Sequence, residues 1–300
     1  MERHEARIKK IKASNTPLVQ ASESDDDNDI AGFPENHHVI GKTQNAPQHL
    51  GVFITENWED PAFKVRQCLA IYFTLLAMHG LQDFIPKLKQ HLLPQIKAIL
   101  LAQGVSMDIS VPGGCEHICF KLDRIYRHHQ MHVNFTTYDI HRADDIITAG
   151  SPVRGNIMVL NPELVLTSPS SSVHPFWYAR VLDIFHANVF YTGEGNRDYH
   201  PRRIEFLWVR WYEMKGKGGS WAPQRLDQVK FPTISDDESF GFVDPGNVLR
   251  GCHIIPSFNN RPVASGHSSY ARDSEDYKCY FVNRWDLYSV NDSIMTTTII

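Results

Sequence analysis

The chain has 300 residues, of which 42% are hydrophobic and 21% charged, and its 30 basic and 34 acidic side chains give a net charge of −4. This composition is typical of a globular protein with one or two cores and excludes a wholly disordered chain. The charge also excludes a uniformly basic nucleic-acid-binding surface, and no apolar run is long enough for a membrane span.

Residues 1–55 are predicted to form a disordered tail. The acidic stretch 22–29 contains no apolar residue and cannot offset the entropy cost of ordering. The basic stretch 7–12 precedes it, so a nuclear-import signal is one interpretation and an inert, solvated tail is the other. Because the N-terminus lacks the apolar segment of a secretory signal, we expect a nuclear or otherwise cytoplasmic protein.

Residues 56–106 are predicted to form a helical hairpin. The first helix begins after Asp60 and ends at Gly80, and the second carries apolar residues at helical spacing between 85 and 99. Pro94 lies inside the second helix and is expected to kink or split it. Because the connection is short, the two helices should pack antiparallel.

From residue 107 onward strand patterns dominate, in a β-rich connector (107–172), a small β-barrel (173–284) and a C-terminal tail (285–300). The Ser- and Pro-rich stretch 167–172 marks the boundary between connector and barrel. Both faces of the segment 203–212 are apolar, so we expect the hairpin to cover the outer face of the barrel. The fold class is therefore α+β, a helical hairpin packed on a mainly antiparallel small β-barrel. The barrel strands are expected at 176–186, 203–212, 225–231, 240–243, 248–255 and 277–282.

A metal site is the first functional hypothesis, because the chain has 16 histidines and 5 cysteines. Cys115, Cys119 and His132 have the spacing of three ligands of a zinc finger, but the next histidine comes too late to be the fourth. Pairing His128 with His132 instead makes the loop between cysteines and histidines too short. We therefore expect cysteines that pack as small apolar residues, with no metal and no cofactor.

No catalytic motif is present in the sequence. It lacks a nucleophile elbow, a phosphate loop, a dinucleotide fingerprint and the H-E-x-x-H motif. Asp144 and Asp145, and the acidic group 236–238, are the adjacent acids outside the tail, and they cannot be assigned to a converging metal site. We expect no enzyme activity, no catalytic residue and no small-molecule substrate.

Aromatic residues on two neighbouring strands are the remaining functional signal. Such rings can form a cage for a methylated lysine through cation–π attraction, hold a peptide, or stack on unpaired bases. The alternative is that they belong to the core, as large rings commonly do in small barrels. Trp177 belongs to this aromatic group, and the residues predicted to bind a partner are Tyr178, Trp208, Trp211, Tyr212 and Trp221.

Six stretches of the chain, in collinear order, resemble the C-terminal region of transposase-like proteins of mushroom-forming fungi. These proteins belong to the Plavaka group, which is related to the CACTA transposons. The clearest stretches are HPFWYARVLDIFH at 174–186 and IEFLWVRWY at 204–212. The others are 85–94, 134–139, 242–256 and 280–284.

The resemblance implies a transposon-derived interaction module. In that family the nuclease domain lies upstream of this region, so no catalytic residue is carried over. The family region is also similar in layout to bromo-adjacent-homology modules, a likeness carried here by the segments 179–181 and 209–211. We expect a nuclear, non-enzymatic module that binds protein or a chromatin peptide. The alternatives are a nucleic-acid-binding module that positions transposon ends, and a decayed copy with no selected function.

Overall fold

The structure is a computed structural model, and all of its described residues belong to one unit, residues 34–300. The first predicted helix, most of the predicted N-terminal tail, and the C-terminal tail lie outside the described residues. The residues described are 37–41, 47–57, 60, 84–104, 114–136, 142–162, 174–193, 199–215, 226–234, 236, 238–259 and 268–283.

The described residues are mostly strand. The α-helices in the described part of the chain are α1 (Leu50–Asn57) and α2 (Phe84–Ala102). In the first half the strands are β1 (His38–Ile40), β2 (Gln48–His49), β3 (Ile118–His128), β4 (Gln130–Thr136), β5 (Arg142–Thr148) and β6 (Asn156–Leu160). In the second half they are β7 (Phe176–Tyr191), β8 (Arg202–Met214), β9 (Asp227–Lys230), β10 (Phe240–Val243), β11 (Val248–Gly251), β12 (Ile254–Pro256) and β13 (Tyr280–Val282).

The long strands β7 and β8 form the middle of a curled, half-barrel sheet. Its strand order is β11-β6-β7-β8-β9-β13-β12, with β3 also pairing β7 and β10 also pairing β8. A smaller sheet has the order β1-β4-β5, and every pairing is antiparallel. A mainly antiparallel β protein with a barrel-like sheet is therefore confirmed. The sheet includes β3 and β6 from the predicted connector as well as strands of the predicted barrel.

The predicted helical hairpin is not supported. The described residues contain only its second helix, α2, since the first falls on residues 61–83. Phe84, Leu88, Leu92, Ile96 and Leu100 recur every four residues along α2 and are all buried. The helix is not split at the proline in its interior, which occupies an exposed position.

The helix α2 covers one face of β8. Phe84 meets Trp208 edge to face, with 5.3 Å between ring centroids, and Phe206 and Ile204 belong to the same buried cluster. Leu207 and Val209 point to the other face and join a second cluster with residues of β6 and β7. Both faces of β8 are thus buried, which explains why its sequence is apolar in both phases.

Two described parts of the segment predicted as a tail, residues 38–40 and 48–55, belong to the folded structure. The strands β1 and β2 pair with β4 and β3, and α1 buries Leu50, Phe53 and Ile54. These short apolar elements gain their stability from tertiary contacts, because two- and three-residue strands carry no recognisable period of their own.

Candidate functional site

The structure places most of the predicted binding aromatics in the interior. Tyr178, Trp208 and Tyr212 are only 1%, 2% and 8% exposed. Trp211 is partly buried, and Trp221 lies outside the described residues. Rings as buried as the first three offer no face to a ligand in this structure.

The predicted rings also belong to different clusters. Trp208 packs beside Tyr270, with 4.8 Å between ring centroids, in the cluster under α2. Tyr178 and Tyr212 share a third cluster, and Trp211 lies against the second. Successive strand residues point to opposite faces of a sheet, so neighbours in sequence are separated here by the sheet itself. The structure does not bring the four described rings together around one pocket.

The structure instead pairs Trp211 with Trp177, and we call these two residues the tryptophan corner. Their ring centroids are 5.6 Å apart and their planes cross at 76°. In the β7–β8 register Ala179 stands opposite Trp211, so Trp177, two residues before Ala179, lies on the same face as both. Trp177 remains 37% exposed. The corner therefore presents two nearly perpendicular indoles, one of them open to solvent.

Trp211 is held in place by the neighbouring strand β10. Its backbone N–H donates to the carbonyl of Ser239 at 2.9 Å. Gly241 lies directly beside the indole, and a Cβ at this position would be only 2.6 Å from Trp211 Nε1. Only a residue without a side chain lets β10 approach the ring this closely.

Glu213 is a charged residue close to the corner in sequence. It follows Trp211 by two residues on the same face of β8, and its side chain is 44% exposed. Its carboxylate forms an ion pair with Lys230 of β9. Because both partners are exposed, this pair contributes little to stability and can exchange partners with a ligand.

Trp177 belongs to the aromatic group recognised in the sequence but is not among the predicted binding residues. The sequence does place Trp177 and Trp211 on two strands that are predicted to be neighbours, so a contact between them is compatible with the sequence. The sequence does not reveal the register of the two strands, in which residue 179 lies opposite residue 211. This register determines which rings share a face of the sheet.

The histidine and cysteine cluster does not assemble into a metal centre. Within the described ranges no three His, Cys, Asp or Glu side chains lie close enough to hold a metal ion. Cys115 and Cys119 are free thiols. His132 donates from Nδ1 to Asp144 at 2.7 Å, and His128 lies in a separate buried pair.

The buried histidine pair joins β3 and β7 to the residue that follows β1. His128 Nδ1 donates to the carbonyl of Gly41 at 2.6 Å, since a carbonyl only accepts. His128 Nε2 and His186 Nδ1 share a hydrogen bond that is also 2.6 Å long. Burial, with Arg203 nearby, lowers the pKa of His186 to about 3, and its ring stacks on Tyr126 at 4.4 Å. The pair thus links β3 and β7 through a buried hydrogen bond.

The adjacent acids have structural roles. Asp145 accepts from Arg250 Nε and from the backbone N–H of Gly251, both at 3.1 Å, and so ties β5 to β11. Asp236 accepts from the N–H of Glu238 within a turn. Among the described acids, Asp144, Asp145 and Asp236 each accept a hydrogen bond from a local partner instead of converging on a common centre.

Comparison of the chain with protein-family models, curated proteins and solved structures finds no match in any of the three. The resemblance to the Plavaka group stays a prediction based on the stretches quoted above. Neither α1 nor α2, the helices of the described part of the chain, is long and apolar enough to cross a membrane.

Proposed function

We propose that the chain is a non-enzymatic interaction module that binds a peptide through the tryptophan corner. The proposal is carried by the exposure of Trp177 next to a second indole at nearly a right angle. Two perpendicular aromatic faces suit a compact cation such as a methylated lysine side chain. A cation over an indole face gains about 0.5–2 kcal/mol, depending on how far it is desolvated.

The surroundings of the corner favour binding of a positively charged group. Trp211 is fixed by Ser239 and by the close approach of Gly241, so little ordering is needed when a ligand arrives. Glu213 supplies a carboxylate on the same face, where a ligand ammonium competes with Lys230. The corner thus combines aromatic faces with a negative charge.

The family resemblance supports a chromatin peptide as the source of such a side chain. Within that interpretation the module is the accessory end of a transposon-derived protein and acts in the nucleus. The nuclease step belongs to a different domain of the family, so the interaction itself is the function we propose for this chain.

The test is a titration of the full chain with peptides that carry one lysine, unmodified or trimethylated, followed by tryptophan fluorescence and calorimetry. We expect the trimethylated peptide to bind more tightly. Trp177→Ala and Trp211→Ala should each weaken it at least about tenfold, since anchor residues contribute about 2 kcal/mol.

The matched control is Tyr199→Ala, which removes an aromatic side chain that is 57% exposed outside the corner. It should leave the affinity unchanged. Equal affinities for the Trp177→Ala and Tyr199→Ala variants, or no binding of either peptide, would contradict the proposal. Binding of DNA with an affinity that falls steeply with salt, without peptide binding, would favour the nucleic-acid alternative.

A further inference from the structure

Two arginines face each other in the interior of the large sheet. Arg180 of β7 and Arg210 of β8 are direct partners in the antiparallel register. Their side chains are only 12% and 3% exposed. Like charges placed opposite each other repel, and a buried charge is costly unless it is paired and hydrogen-bonded. The two buried positive charges therefore require negative or hydrogen-bond-accepting groups around them.

A single carboxylate serves both arginines. Asp276 accepts from Arg180 Nη1 at 3.1 Å and from Arg210 Nη1 at 2.5 Å. The hydroxyl of Tyr280 donates to the same carboxylate at 3.2 Å. Among the described residues, no other acidic group forms an ion pair with either arginine. Within the described part of the chain, a single carboxylate therefore faces two positive charges.

Aromatic rings stabilise part of the excess positive charge. The guanidinium carbons of Arg180 and Arg210 lie 4.5 and 4.0 Å from the centroid of Phe231. Tyr212 stacks on Phe231 at 4.0 Å. These rings attract the cations through their faces, and the hydroxyls of Tyr212 and Tyr280 also accept hydrogen bonds from the Arg180 side chain.

The N–H groups at Nε of both arginines lack an acceptor. Each Nε is buried and makes no hydrogen bond, although Nη1 of the same guanidinium is paired with Asp276. Burial raises the pKa of Asp276 in spite of the opposing effect of both arginines.

We propose that the Arg180–Arg210 pair is a binding site for a small oxyanion, a phosphate or carboxylate group that accepts hydrogen bonds from the unpartnered Nε–H donors. Guanidinium groups suit this chemistry because their planar N–H donors match the oxygens of phosphate and carboxylate. The anion supplies the missing negative charge. This site is independent of the tryptophan corner, because residues 210 and 211 point to opposite faces of β8.

The experiment uses the full chain and inorganic phosphate as the probe, with chloride at matched ionic strength as the reference. Phosphate should raise the midpoint of thermal unfolding saturably, since a ligand that binds only the folded state stabilises it. Calorimetry should give one site per chain. A parallel titration with acetate distinguishes phosphate from carboxylate preference, and either result is consistent with an oxyanion site.

Two variants assign the effect to these residues. Arg180→Gln should weaken phosphate binding at least tenfold, and Asp276→Asn, which removes the competing carboxylate, should strengthen it several-fold. The matched control is Arg250→Gln, because Arg250 also pairs with a carboxylate, Asp145, and lies 3.8 Å over the ring of Phe135. This control should bind phosphate as the wild type does.

The proposal fails if neither phosphate nor acetate gives saturable binding to the wild-type chain. It also fails if Arg180→Gln binds as tightly as the wild type or if Arg250→Gln loses binding equally. Should Arg180→Gln not fold, the wild-type titration and the direction of change in Asp276→Asn decide the question. Trp177→Ala should leave phosphate binding unchanged, so this result stands apart from the peptide test.

Discussion

Replacing Trp208 by alanine should destabilise the protein strongly, because Trp208 is a core residue. The indole is 2% exposed and contacts Phe84, Phe240 and Tyr270, with ring centroids 4.8–6.1 Å away. A buried tryptophan removes about 200 Å² from water, equivalent to about 5 kcal/mol at about 25 cal/mol per Å². Measured losses for such truncations are about 3–5 kcal/mol, a large part of a typical domain's stability.

The assay is urea unfolding of the full chain, monitored by circular dichroism and analysed for midpoint and slope. Trp177→Ala is the comparison, since its ring is partly exposed, and it should lose less than half as much free energy of unfolding as Trp208→Ala. A loss below about 1.5 kcal/mol for Trp208→Ala would refute its assignment to the core. Equal losses for the two variants would refute the distinction between core and corner.

Two further predictions concern Gly241 and His186. Gly241→Ala places a Cβ 2.6 Å from Trp211 Nε1 and should therefore shift the tryptophan fluorescence and weaken peptide binding. The control is Gly51→Ala, whose Cβ makes ordinary contacts and which should change neither property. Unchanged peptide binding in Gly241→Ala would contradict the proposal that Trp211 is held rigidly. Burial and Arg203 lower the pKa of His186 to about 3, so below the unfolded value near 6.5 only the unfolded state gains this proton. Stability should therefore fall by up to about 1.4 kcal/mol per pH unit between about pH 6.5 and 3. His186→Gln should flatten this part of the stability curve, and an unaltered pH profile in that variant would contradict the assignment.

Local sequence patterns determined the main elements. The four-residue apolar spacing predicted α2, and the strand pattern at 176–186 and 203–212 predicted β7 and β8, which the structure extends to Tyr191 and Met214. The predicted strand 248–255 is present as β11 and β12. These signals are local because the alternation of side chains depends only on backbone geometry.

Tertiary structure decided which side of each element is covered. Both phases of β8 are apolar, so its sequence did not show that α2 buries Trp208 while Trp211 lies on the opposite face. A register shift between Val181 and Asp183 also changes which β7 residues share a face along the strand. The predicted cage therefore included rings that belong to the core.

Both proposed sites depend on residues brought together by pairing. Trp177 meets Trp211, and Arg180 meets Arg210, only because β7 and β8 align in one particular antiparallel register. The sequence determined that these side chains are aromatic or cationic and lie on strands. Their juxtaposition follows from strand pairing over about thirty residues of separation, which a one-residue slip would abolish by moving every side chain to the other face.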